Sequence, residues 1–181
     1  MSLSPPKRAV LQSLLLSGNP IKPAQIAAET GSQLNSTMMH LIWLVRVGYA
    51  VAPEKGQYRI TDKGKRALGI PEITRETAMS ILAQSQKEKA FHFYADVEKP
   101  LDLYAYGIKD FIEKTPRVPA QSLEFHLNRG DFENWFTCIG DIELAEKMAL
   151  LKEKKLVGEQ LRKVLQEAVT SRCAELSRLL G

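Results

Sequence analysis

Sulfur and imidazole chemistry are scarce in this chain, whose 181 residues hold two cysteines, Cys138 and Cys173, and three histidines, His40, His92 and His126. The cysteines stand 35 positions apart with no CxxC and no neighbouring CxxH, which excludes a disulfide framework and a zinc-ligand set and leaves both as small, reduced core residues. Apolar runs such as Leu14-Leu15-Leu16 and Leu41-Ile42-Trp43-Leu44-Val45 fall far short of the roughly 18 residues of a membrane span. No membrane partner is expected. The stretch Met1 to Arg8 has no basic segment leading into an apolar one, so no secretory leader is expected and a cytoplasmic location follows. With 9 prolines and 11 glycines the chain is neither collagen-like nor a low-complexity linker.

Catalytic signatures are missing as well. No GxGxxG, Walker loop, GxSxG or HExxH occurs. Glu143 with Glu146 and Glu153 are paired carboxylates at helix-surface spacing with lysines nearby, the pattern of solvated ion pairs. No cofactor, no metal and no enzymatic activity are expected.

What remains is an ordinary folded composition, 44% hydrophobic and 25% charged, in a length that suits one domain or two small ones. Charge is unevenly spread. Residues 1–71 carry nine Lys and Arg against Glu29, Glu54 and Asp62, a net +6, and the remainder is net −2. A basic front and a slightly acidic back suit a chain in which one module meets a polyanion and the other does not.

The front segment is punctuated as three helices, a hairpin and a fourth helix. Val10, Leu11, Leu14 and Leu15 form one face of a helix from Lys7 to Ser17, ended by Gly18-Asn19-Pro20. Pro23 opens a second helix that Gly31 closes. Asn35 or Ser36 caps a third running to about Val47, with Thr37, Leu41 and Leu44 inward and His40 alongside. Tyr49–Ala52 reads as a strand, Pro53–Gly56 as a turn and Gln57–Ile60 as the returning strand; Thr61-Asp62 caps a helix to Leu68.

This order, with Ile26-Ala27-Ala28-Glu29-Thr30-Gly31, the run Leu41 to Tyr49 and the Tyr58-Arg59-Ile60-Thr61-Asp62-Lys63-Gly64 close, resembles the winged helix-turn-helix module of archaeal and bacterial transcriptional regulators of the MarR and ArsR kind. The resemblance covers residues 1–71, about two fifths of the chain. It implies a DNA-binding domain with a two-stranded wing, double-stranded DNA as partner and a homodimer reading paired half-sites. The residues it sends to DNA are Gln33, Asn35, Ser36, Met39 and Trp43 at the third helix and Lys55, Gln57, Arg59 and Lys63 at the wing. One feature departs from a groove-reading helix. Its outward positions include Met38, Met39, Ile42 and Trp43, which suit a protein partner instead.

Residues 72–90 read as a linking helix and residues 91–181 as an all-α domain for dimerisation or regulation, so the fold class expected is mostly α. Phe91–Tyr94 is a strand or an extended lead-in. From Pro100, Leu103, Tyr104, Gly107, Ile108, Phe111 and Ile112 space as one amphipathic helix. Gly130-Asp131 and Gly140-Asp141 each join a helix-ending glycine to a capping aspartate, separating helices over 121–129, 131–139 and 141–156. A last helix, Glu159 to Leu180, offers Leu165, Val169, Leu176 and Leu180 for pairing with a second copy. The pattern of Ser122–His126, Gly130–Phe132, Trp135, Gly140-Asp141 and Leu144-Ala145 resembles an uncharacterised helical domain of archaeal proteins, over roughly residues 91–170, and implies an architecture without a function. His126, Arg129, Asp131 and Trp135 form a denser polar group that fits either a ligand pocket or plain capping and hydrogen bonding.

Overall fold

Pro5 and Pro6 open the first helix, α1 (Pro5–Ser17), where a missing backbone N–H has no helical partner to lose. In the computed structural model, which describes residues 3–181, α1 is followed by α2 (Pro23–Thr30) and α3 (Leu34–Arg46). The three pack on one another around Val10, Leu11, Leu14, Leu15, Ile26, Leu41 and Leu44, all buried. They belong to the first of two compact units, which reaches to Glu72. The start of α3 differs from the expected cap. Gln33 is the N-cap residue, its carbonyl accepting from the Thr37 N–H and hydroxyl, so Asn35 and Ser36 lie within the first turn with side chains outward.

A hairpin follows, β1 (Ala50–Glu54) with β2 (Gln57–Ile60), antiparallel with Ala50 opposite Ile60 and Glu54 opposite Gln57. Pro53 falls where the register slips between Val51 and Glu54, a bulge that tolerates a residue without an N–H to donate. The strand therefore outlasts the expected Ala52, and the turn contracts to Lys55-Gly56, with Gly56 at φ 77°. On the other edge of β2, Ile21 exchanges two 2.9 Å backbone hydrogen bonds with Tyr58. Helix α4 (Asp62–Ala67) is capped by Thr61, whose Oγ1 accepts from the Gly64 N–H at 3.1 Å and donates to the Gly48 carbonyl at 2.6 Å. Gly64 has no Cβ because one would collide with the Tyr49 carbonyl and the Ile60 side chain.

The second unit, Ile73–Gly181, contains α5 (Arg75–Leu82), β3 (Phe91–Asp96), β4 (Lys99–Ala105), α6 (Ile108–Lys114), α7 (Ala120–Arg129), α8 (Asp131–Cys138), α9 (Ile142–Glu153) and α10 (Gly158–Arg178). The molecule is mostly helical, but the all-α expectation for its second half is corrected by the β3–β4 hairpin. Phe91 and Phe93 alternate into the core, and Leu101, Leu103 and Ala105 answer from β4. The segment from Pro100 fits a helical period only because Leu103, Ile108 and Phe111 happen to match it. The extended Gly107 divides the strand from the true helix, α6.

Two other expectations change here. Leu165, Val169 and Leu176 of α10 are wholly buried and Leu180 is packed beside them, in a core shared with α5, α6, α7 and α9. The stripe offered for a homodimer is thus used within the chain. Of the two expected capping aspartates, Asp141 does cap α9, accepting from the Leu144 N–H at 3.1 Å, whereas Asp131 makes no cap and turns to His126.

Candidate nucleic-acid interface

Helix α3 separates its faces cleanly. Thr37, Leu41 and Leu44 are fully buried, and Asn35, Met39, Ile42 and Arg46, at steps of four, three and four, form an exposed row on the other side. Met39 is 69% exposed and Ile42 50%. Leu34 and Val45 flank the row and are exposed too. Ser36 and His40 are bonded to each other (Oγ to Nε2, 3.3 Å), which occupies the Ser36 hydroxyl, while the Asn35 amide is free of partners among the described residues. Trp43 is half-buried. Its ring meets Tyr49 edge-on at 6.2 Å and carries the Lys7 ammonium over its face at 4.0 Å.

The wing cluster is smaller than its charges suggest. Lys63 donates to the Val47 carbonyl at 2.8 Å, tying α4 to the end of α3, and Arg66 pairs with Glu72 at 2.9 Å. Gln57 donates across the turn to Glu54 at 3.0 Å. Lys55 at the tip and Arg59 on β2 are exposed and unpaired among the described residues, as is Arg46 at the end of α3. Arg46 was overlooked in sequence, though its place eleven residues beyond Asn35 puts it on the same helix face.

The four-residue group of the second unit splits in two. The Tyr94 N–H donates to His126 Nε2 at 2.8 Å, so Nδ1 carries the proton and donates to Asp131 at 2.7 Å. Burial pushes the ring below its usual pKa, against the opposing pull of Asp131. Both nitrogens being spent, His126 is a strut between β3 and α7. Arg129 lies over the Phe125 ring at 4.9 Å and 3.6 Å from Asp131, beside a cleft of about 530 Å³ that His126 also lines. Trp135 is not there. Its indole donates to the Lys89 carbonyl at 3.0 Å and borders a separate groove of about 780 Å³.

Sequence reasoning missed a buried ionic network altogether. Arg172 reaches Asp141 at 3.0 Å, Glu143 at 2.7 Å and Glu175 at 3.1 Å, and Lys147 pairs with Glu143 at 2.9 Å. Glu143, expected on a solvated face, is buried, as are Asp141, Lys147 and Arg172. Burial works against the guanidinium charge, yet Asp141 and Glu143 outweigh it and raise the Arg172 pKa. Glu143 and Lys147 lie beside the apolar stripe of Leu144, Ala145, Met148 and Leu151, on a flank of α9 that is covered in the fold.

Among the described residues no group of His, Cys, Asp or Glu is arranged to hold a metal ion, and no helix is long and apolar enough to cross a membrane. Comparison of the chain with protein-family models, curated proteins and solved structures gives no match.

Proposed function

We propose that the chain is a DNA-binding transcriptional regulator whose first unit acts as a winged helix on duplex DNA and whose second unit serves regulation. The observation that carries this reading is the order of elements, three helices and a hairpin whose inner strand is bridged by Ile21, together with the unpaired cations Arg46, Lys55 and Arg59 on the helix and hairpin that such a module sends to DNA. Phosphate contacts from Lys55 and Arg59 supply affinity without sequence information. Fluorescence anisotropy on a random-sequence duplex at two salt concentrations is the test. Replacing Lys55 and Arg59 with Ala is expected to weaken every duplex alike and to reduce the salt slope by about one for each phosphate left without its cation. An unchanged slope removes the wing from the interface.

A second reading has its own observation. Leu34, Met39, Ile42 and Val45 form an exposed apolar patch of the kind that receives a protein. Under it, Met39→Ala and Ile42→Ala abolish capture of a partner or self-association and leave wing-dependent DNA binding intact.

A further inference from the structure

We infer that the first unit reads A·T base pairs in the major groove, through Asn35, Met39 and Ile42, and does not read G·C. The inference rests on the DNA-binding reading above and adds what that site would recognise.

The exposed row of α3 decides it. In a helix laid in the major groove the N-terminal residues meet base edges. Asn35, second residue of α3, presents a free amide there. A carboxamide pairs in bidentate fashion with adenine, donating to N7 and accepting from the N6 amino group, and finds no equivalent pair on guanine, whose N7 and O6 both accept. The next two positions of the row are Met39 and Ile42, apolar and largely exposed. In the major groove the apolar group on offer is the thymine C5 methyl, which cytosine lacks. Guanine is ordinarily read by an Arg or Lys fork, and no cation stands in the row before Arg46, at the last residue of the helix. Ser36, the other exposed polar side chain of the first turn, is held by His40. Charge complementarity favours the polyanion as occupant of this face, since Arg46, Lys55 and Arg59 are all unpaired and α3 carries no acid.

Anisotropy titrations of the full chain with four short duplexes of equal length provide the test: all A·T, all G·C, the A·T duplex with uracil for thymine, and the G·C duplex with 5-methylcytosine. The A·T duplex is expected to bind at least about fivefold tighter than G·C, the lower end of what one bidentate base contact discriminates. Uracil removes only the methyls and is expected to cost about two- to fourfold for each methyl buried, and 5-methylcytosine is expected to recover part of the G·C deficit. Asn35→Ala, a change at an exposed position, is expected to bring the ratio of A·T to G·C affinity down toward one, with circular dichroism checking the fold. Equal, salt-dependent binding to A·T and G·C overturns the inference and keeps the DNA-binding reading. A preference for A·T that survives both uracil and Asn35→Ala also overturns it, assigning the preference to duplex shape. Failure to bind any duplex at low salt overturns both.

Discussion

His126 shows how a titratable side chain can be fully engaged and still govern stability. Its folded-state pKa lies below the usual value of about 6.5 because burial disfavours the imidazolium, and the cation would also turn Nε2 into a second donor facing the Tyr94 N–H. Above pH ~6.5 both folded and unfolded chains hold the ring neutral and it contributes no pH dependence. As pH falls through that value the unfolded chain takes up a proton that the folded one refuses, so stability drops until the folded pKa is passed. Urea midpoints measured from neutral to mildly acidic pH are expected to fall, with the fall flattened in His126→Gln; parallel curves for the two proteins would assign it to other groups. Arg172 is the opposite case, a buried cation that must stay charged. Its Nη2 has no hydrogen-bond partner among the described residues, so the network is imperfectly satisfied even as built. Arg172→Met leaves Asp141 in the core without a counter-ion and Glu143 with Lys147 as its one buried cation, and is expected to cost about 3–5 kcal/mol in urea unfolding. A cost below about 1 kcal/mol would mean that the carboxylates take up protons or water readily.

At the level of elements, α10 joins the core that an isolated reading left open. Leu165, Val169 and Leu176 were legible as an apolar stripe, but a stripe does not say what covers it; the answer lay in α5, α6, α7 and α9. Leu165→Ala is therefore expected to cost about 2–5 kcal/mol of stability and to leave the mass in light scattering the same as that of the parent chain. A halved mass would return the stripe to a dimer interface. The helices of the first unit were legible because glycine, proline and threonine mark their ends, and Thr61 does cap α4 as its sequence suggests. Of the β3–β4 hairpin only Phe91–Tyr94 was open to a strand reading, since neither strand holds a valine or isoleucine and the turn through Val97-Glu98 lacks the Asn-Gly or Asp-Gly that announces a hairpin. Within the candidate interface, sequence brought out Asn35, Met39, Lys55 and Arg59 as outward residues. It could not tell that Gln57, Lys63 and Ser36 would be engaged locally, because those bonds cross the hairpin turn, join α4 to the end of α3, or span one helical turn to His40.

On the scale of the whole molecule, charge and fluorescence divide along the same boundary. The first unit carries all of the chain's excess of positive charge, and the chain's two tryptophans fall one to each unit, Trp43 in the first and Trp135 in the second. Each is sensitive to the fold around it, Trp43 through Tyr49 and Lys7 and Trp135 through the aromatic core of Phe91, Phe111 and Phe136. Trp135→Phe leaves Trp43 as sole reporter of the first unit, and Trp43→Phe leaves Trp135 for the second. A ligand that binds only folded protein stabilises the unit that holds its site, by about 2.7 kcal/mol when its concentration is a hundred times Kd. Adding an A·T duplex is then expected to move the Trp43 urea transition to higher denaturant, raising the unfolding free energy read from it by that amount, while the Trp135 transition stays in place. High salt should cancel the shift, because the contacts from Lys55 and Arg59 are to phosphate. A shift confined to Trp135 would place the DNA site on the second unit, and equal shifts would mean that the two units unfold as one block. No shift at saturating duplex would leave the basic wing without a nucleic-acid role and return the Met39 and Ile42 face to a protein partner.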